Sequence, residues 1–164
     1  MNHEATEAIC RLKYAYFRLL DTKRFVELGE LFVEDATTDY QSAPGPQTGR
    51  AEIVEFLTSS LTDPGIVHVH NGHHPEIDVN DNGTASGTWY LYDKVIAPAY
   101  DFLLEGTALY EDVYVLVDGA WKIKHSGYRR IYEEHRKHST GELLSFTSRF
   151  DPEGSGQPDT TAIS

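Results

Sequence analysis

From Glu4 to Leu20 the apolar residues Ala5, Ala8, Ile9, Leu12, Tyr16, Leu19 and Leu20 recur at three- and four-residue steps, with Glu4, Glu7, Arg11, Lys13 and Arg18 between them. That spacing predicts an amphipathic helix with one buried face. A second helical pattern runs through Phe25, Leu28, Leu31 and Phe32, and a third through Ile53, Val54, Phe56, Leu57 and Leu61. The stretch QSAPGPQTG between them is turn chemistry. After Pro64 the period changes to two. Ala85, Gly87, Trp89, Leu91 and Asp93 fall on one side, and Thr84, Ser86, Thr88, Tyr90 and Tyr92 on the other. Leu109 to Val117 and Trp121 to Tyr132 are rich in β-branched and aromatic residues, and Asp118-Gly119 between them is a hairpin signal.

Helices first and strands afterwards predict an α+β domain over residues 1–136, with one curved antiparallel sheet wrapped as a cone over three N-terminal helices. The concave face of such a sheet, lined by aromatic side chains, suits a small apolar ligand. Residues 137–164 read as a C-terminal extension whose last fourteen residues are rich in Pro, Gly, Ser and Asp and are expected to be disordered. Leu143, Leu144, Phe146 and Phe150 are expected to dock on a neighbour or to cover the cone.

Charge removes one class of partner. Fourteen basic against 26 acidic residues give a net charge of −12, which disfavours a nucleic-acid backbone. Cys10 is the only cysteine, so neither a disulfide framework nor a thiolate zinc site can form within one chain. No apolar run approaches the length of a membrane span and no charged-then-apolar leader opens the chain, so no membrane partner and a cytoplasmic location are expected.

Candidate chemistry concentrates between Ile66 and Asp93, where His68, His70, His73 and His74 precede a carboxylate. Histidine titrates nearest neutrality, so such a cluster points to acid–base chemistry or to a metal. His68 and His70 share a strand face, whereas His73 and His74 fall in the Asn-Gly interruption. Asp21, at the end of the first helical pattern, reads either as a loop acid or helix cap, or as a carboxylate that orients a histidine. Asp93 falls with the apolar set of its strand, and Arg130 on the face of Tyr128 and Tyr132. Each reads as a surface charge or as part of a buried pair. A metal reading has one pattern behind it. His68-Val-His70, Glu76 and Gly83 partly resemble the first metal motif of the cupin barrels, although the spacing to Glu76 is long and the second motif is missing.

Four segments carry a closer resemblance. Tyr16-Phe-Arg-Leu-Leu-Asp21, Gly49-Arg-Ala-Glu-Ile-Val-Glu-Phe-Leu57, the histidine-rich strand and Asp118-Gly-Ala-Trp-Lys-Ile123 resemble the SnoaL-like branch of the nuclear-transport-factor-2-like superfamily, over residues 4 to 136. Within that branch, His70-Asn-Gly-His-His-Pro-Glu-Ile77, Thr84-Ala-Ser-Gly-Thr-Trp-Tyr-Leu-Tyr-Asp93 and Gly127-Tyr-Arg-Arg-Ile-Tyr-Glu-Glu-His135 are most similar to the bacterial bile-acid 7α-dehydratases.

The resemblance implies a cystatin-like α+β barrel, a small-molecule steroid or bile-acid substrate, and no cofactor or metal. It also implies a homo-trimer or homo-dimer. Carried over by position, Asp21 and His70 are the acid–base dyad, and Tyr16 and Tyr40 the pocket hydroxyls, with Tyr16 the catalytic one. Asp93 and Arg130 are a polar pair at the far wall, and Trp89 and Tyr110 complete the substrate-binding surface. Ideal helix geometry turns Tyr14 rather than Tyr16 toward the side of Asp21, so choosing Tyr16 requires a bend or an early helix end. Gly106-Thr-Ala-Leu-Tyr110 lacks the second catalytic histidine that scytalone dehydratases carry at that strand. The implied activity is elimination of water from a 7-hydroxy-3-oxo-4-ene steroid. The alternatives are a cofactor-free isomerase or cyclase acting on a polyketide and a non-catalytic binding module.

Overall fold

The computed structural model describes residues 3–41 and 45–150; the expectation for the last fourteen residues lies outside them. Helix α1 (His3–Asp21) buries Ala5, Ile9, Lys13, Tyr16, Phe17, Leu19 and Leu20. Those positions follow one another at helical spacing, and Lys13 is a member of the buried stripe rather than of the polar face expected for it. A short α2 (Phe25–Gly29) turns the chain, and α3 (Arg50–Leu61) closes the helical layer. The strands are β1 (Phe32–Asp39), β2 (Gln47–Thr48), β3 (Val67–Val79), β4 (Thr84–Ala97), β5 (Phe102–Val117), β6 (Ala120–Arg136) and β7 (Leu143–Ser148).

The seven strands form one open sheet in the order β2-β1-β6-β5-β4-β3, with β7 also paired to β6. The long β6 is shared along one edge. Its first half runs parallel to β1, with Asp39 opposite Gly127, and its second half antiparallel to β7, with Tyr132 opposite Ser148. Two expectations are thereby corrected. Phe32 opens a strand rather than closing the second helix, and the sheet is mixed rather than purely antiparallel, because β1 enters it before the meander begins. The β5–β6 hairpin is as expected. Asp118 and Gly119 both take positive φ, 50° and 80°, which suits a two-residue turn of the right twist.

The helices pack on the concave face of the sheet, where Ile9, Leu28, Phe32, Ile53, Trp89, Tyr114 and Ile123 are fully buried. Burying a large apolar side chain contributes about 1.5–3 kcal/mol, so this contact stabilises the docking of the helical layer on the sheet. One glycine sets the helix–sheet distance: a Cβ on Gly72 of β3 would run into the Phe17 ring of α1. The close approach brings the C-terminal end of α1 onto β3 beside His70. No helix among the described residues is long and apolar enough to cross a membrane.

Candidate active site

Asp21 is the last residue of α1, and its carboxylate lies against β3. Oδ1 is 2.7 Å from His70 Nδ1 and 3.3 Å from His68 Nδ1, while Oδ2 accepts the His70 main-chain N–H at 2.9 Å. The side chains are 23%, 12% and 0% exposed for Asp21, His70 and His68, so this carboxylate is largely shielded from water. Burial alone would raise its pKa, but the hydrogen bonds from His68 and His70 prevail and lower it to about 2. Asp21 is therefore an anion that can only accept, and each facing Nδ1 must carry the proton. When His70 is neutral, its Nε2 is left bare, as a general base requires.

The depressed carboxyl is also a statement about stability. Its folded value near 2 lies below the ordinary 3.8, so its contribution is fully present above pH 4 and is lost as pH falls through about 2. Urea denaturation should find Asp21→Asn weaker than wild type by about 2 kcal/mol at pH 7, with the gap closing below pH 4. A gap that persists unchanged at pH 2 would mean that the carboxylate's charge is not what stabilises this corner.

His70 opens onto a cavity of about 340 Å³ walled by Tyr16, Tyr40, Tyr110, Tyr128, Asp93 and Arg130, with an apolar side made by Leu20, Phe56, Leu57, Leu61, Val95 and Leu104. The Tyr16 and Tyr40 hydroxyls are 2.9 Å apart, so one donates to the other, and the Tyr110 hydroxyl is a further partner of Tyr16. Burial pushes both phenols, and that of Tyr110, well above the ordinary value, and Tyr128 to about 12. All four are neutral hydroxyls at physiological pH.

Asp93 is the cross-strand partner of His70, so the acid stands beside the imidazole rather than at a far wall. It takes both Arg130 amino groups, Nη1 at 2.5 Å and Nη2 at 2.8 Å, and Glu133 takes Arg130 Nε at 2.8 Å. Burial opposes the guanidinium charge, but these partners raise its pKa overall. Gly106 makes the crossing from β6 to β4 possible, since a Cβ there would lie 2.9 Å from Arg130 Nη1 and 2.8 Å from the Tyr132 carbonyl oxygen.

Of the residues singled out in the sequence, Asp21 and His70 meet, and Tyr16, Tyr40, Tyr110, Asp93 and Arg130 share one cavity with His70. Trp89 does not join them. It is fully buried in the core, where its indole N–H donates to the Tyr114 hydroxyl at 3.0 Å. Helix α1 runs unbroken to Asp21 with Tyr16 inward and Tyr14 half-exposed. No bend is needed, because Asp21 reaches sideways to β3 and need not share the face of Tyr16.

Tyr132 leaves the face of Arg130 because β6 carries one extra residue, Ile131, opposite the Thr107/Ala108 step, and its ring stacks on Phe146. Leu143, Leu144 and Phe146 thus extend the sheet as part of β7, Phe150 lies exposed beyond it, and none of the four is among the cavity's walls. Sequence reasoning missed the α3 wall as a cavity side and Gly106; the helical stripe of Phe56, Leu57 and Leu61 was the available signal for the first. It also missed a buried pair beneath the cavity. Lys13 Nζ lies 2.7 Å from Asp112 Oδ2 and 3.5 Å from the Tyr110 ring centroid.

Among the described residues, Asp21, His68 and His70 are also the group that could hold a metal ion, since their donor atoms all lie within 4.8 Å of one another. Two histidines and a carboxylate would suit zinc or iron, but Asp21 Oδ1 and His70 Nδ1, 2.7 Å apart, would have to spread toward the roughly 3.3 Å between tetrahedral ligands. Glu76, which the cupin-like pattern requires, is exposed and not part of this cluster.

Known structures share the architecture. A candidate scytalone dehydratase from Novosphingobium aromaticivorans DSM 12444 superposes with a TM-score of 0.71 at 25% identity, over 80% of this chain and 87% of its own. LinA gives 0.71 at 17%, over 79% and 88%, and ActVI-ORFA from Streptomyces coelicolor 0.67 at 18%, over 77% and 97%. At such identities the likeness to the latter two speaks for fold alone. The SnoaL-like domain profile matches residues 2–127, nearly the whole span that carries the helical layer and the cavity. The chain belongs to the SnoaL-like domain family.

Proposed function

We propose that the chain is a cofactor-independent dehydratase that eliminates water from a 7-hydroxy-3-oxo-4-ene steroid or bile acid. The observation that carries this reading is the Asp21-bound imidazole of His70 bordering a mostly apolar cavity that also holds a pair of neutral phenols. The 3-oxo-4-ene group acidifies the C6 proton through the conjugated double bond, so a neutral imidazole suffices as base. His70 Nε2 takes that proton and the electron pair moves to the C3 oxygen, giving a dienolate. Asp21 stabilises the imidazolium, and the Tyr16 hydroxyl, beside that of Tyr40, donates a hydrogen bond to the enolate oxygen. The dienolate then collapses, the C7–O bond breaks, and the imidazolium returns its proton to the departing hydroxyl. The products are a conjugated 4,6-diene-3-one and water.

General acid–base help of this kind supplies about 10²–10⁴-fold, and one oxyanion donor about 10²–10³-fold. The experiment is incubation with a 7α-hydroxy-3-oxo-4-ene steroid, following the red-shifted absorbance of the new diene. Wild type should generate it, and Tyr16→Phe should slow it by roughly 10²-fold. No diene with the steroid, together with turnover of a phenolic polyketide, would replace this reading by the isomerase or cyclase one. A steroid that binds tightly and is recovered unchanged would leave a binding module.

A further inference from the structure

His68 is not used by the chemistry above, yet it is the most enclosed member of the histidine cluster. Its side chain is 0% exposed, its ring centroid lies 5.5 Å from that of His70, and its Nδ1 faces the same Asp21 oxygen at 3.3 Å. Its other nitrogen, Nε2, is buried without a hydrogen-bond partner among the described residues. A carboxylate oxygen that accepts from two rings is a weaker partner for each than it would be for one. A proton added at His68 Nε2 would sit in a buried place with no acceptor, which is costly for a charged donor. A proton added at His70 Nε2 would instead enter the cavity that His70 lines.

We propose that His68 is a positioning residue for the dyad: its Nδ1–H pins the Asp21 carboxylate and takes a share of its charge, and its partnerless Nε2 leaves His70 as the imidazole that accepts a proton. The proposal rests on His70 being the base, but on no particular substrate. Its consequence is that His68 tunes how basic His70 is. The other groups facing His70 are Tyr16 from α1, Tyr40 from the end of β1, Asp93 from β4, Tyr110 from β5, and Tyr128 and Arg130 from β6. None of them is altered chemically by a substitution at position 68.

The test is a ¹⁵N NMR titration of the full chain, labelled at histidine, between pH 5 and 9. In wild type the His68 signals should keep one pattern throughout, protonated Nδ1 and bare Nε2, while His70 titrates. His68→Asn keeps a side-chain N–H in the place of Nδ1 and should leave the His70 midpoint unmoved. His68→Leu gives all of Asp21 to His70, so the midpoint should rise by about one pH unit, a tenfold change in proton affinity. In turnover, the acid limb of the kcat profile should move up in the leucine variant alone, with KM unchanged.

A His68 that itself titrates at Nε2 in wild type would overturn the proposal, whether or not the leucine variant folds. So would a His70 midpoint that is the same in all three proteins. Absence of steroid turnover would sink the proposed reaction and leave the titration result standing.

Discussion

Replacing His70 by alanine is expected to lower steroid turnover by about 10²–10⁴-fold with KM little changed, because the base acts in the transition state and not in holding the ligand. Asp21→Asn should come close to the same loss by a different route. An amide in place of the anion can offer an N–H to Nδ1, which moves the imidazole proton to Nε2 and leaves the cavity side without a lone pair. Because the two residues act as a unit, the double variant should be little worse than either single one. Turnover near wild type in both single variants would remove the dyad from the account. An additive double variant would mean that the two act separately.

The second large effect is on folding. Lys13 and Asp112 are both completely buried and 2.7 Å apart, and the Tyr114 hydroxyl donates to the same Asp112 oxygen at 2.6 Å. Burial pulls the lysine pKa down, with Asp112 opposing it. The Lys13 ammonium also lies against the Tyr110 ring and 4.6 Å from the centre of the Tyr16 ring, directly behind the cavity wall. Lys13→Met would strand a buried carboxylate, and breaking such a pair from one side costs about 3–5 kcal/mol. For a chain of this size that is a fall in melting temperature of roughly 10 °C. Adding Asp112→Asn to Lys13→Met should recover much of it, since an amide still accepts from Tyr114 and carries no charge to strand. If Lys13→Met melts within a degree or two of wild type, the pair is not a stability determinant.

How far the sequence could be read depended on how regular each signal was. The stripe of α1, the alternation of β4 and the Asp-Gly hairpin each obey one period without interruption, and these elements stand where the spacing put them. Strand β1 does not obey one. Its pairing with β6 slips between Phe32 and Thr37, and Phe32 also completes the helical step from Phe25, Leu28 and Leu31, so two periods compete at one residue.

Lys13 was legible in principle, because it lies four residues from both Ile9 and Phe17 on the buried stripe. Charge alone assigned it to solvent. Its partner was legible too, as Asp112 alternates with the buried Ala108, Tyr110 and Tyr114. In the candidate site, the sharing of a strand face by His68 and His70 followed from period two, but their convergence on one carboxylate needed the approach of α1 at Gly72. The loss of Tyr132 from the face of Arg130 turned on a single inserted residue, Ile131, which leaves no mark in composition.

One measurement reaches the centre of the account: a crystal structure with a 4,6-diene-3-one steroid bound. The ring system is expected inside the cavity, with C6 and C7 about 3–3.5 Å from His70 Nε2 and the C3 oxygen on the Tyr16–Tyr40 hydroxyl pair. A steroid seated with C6 and C7 turned away from His70, or held only on the outer face of the sheet, would contradict it.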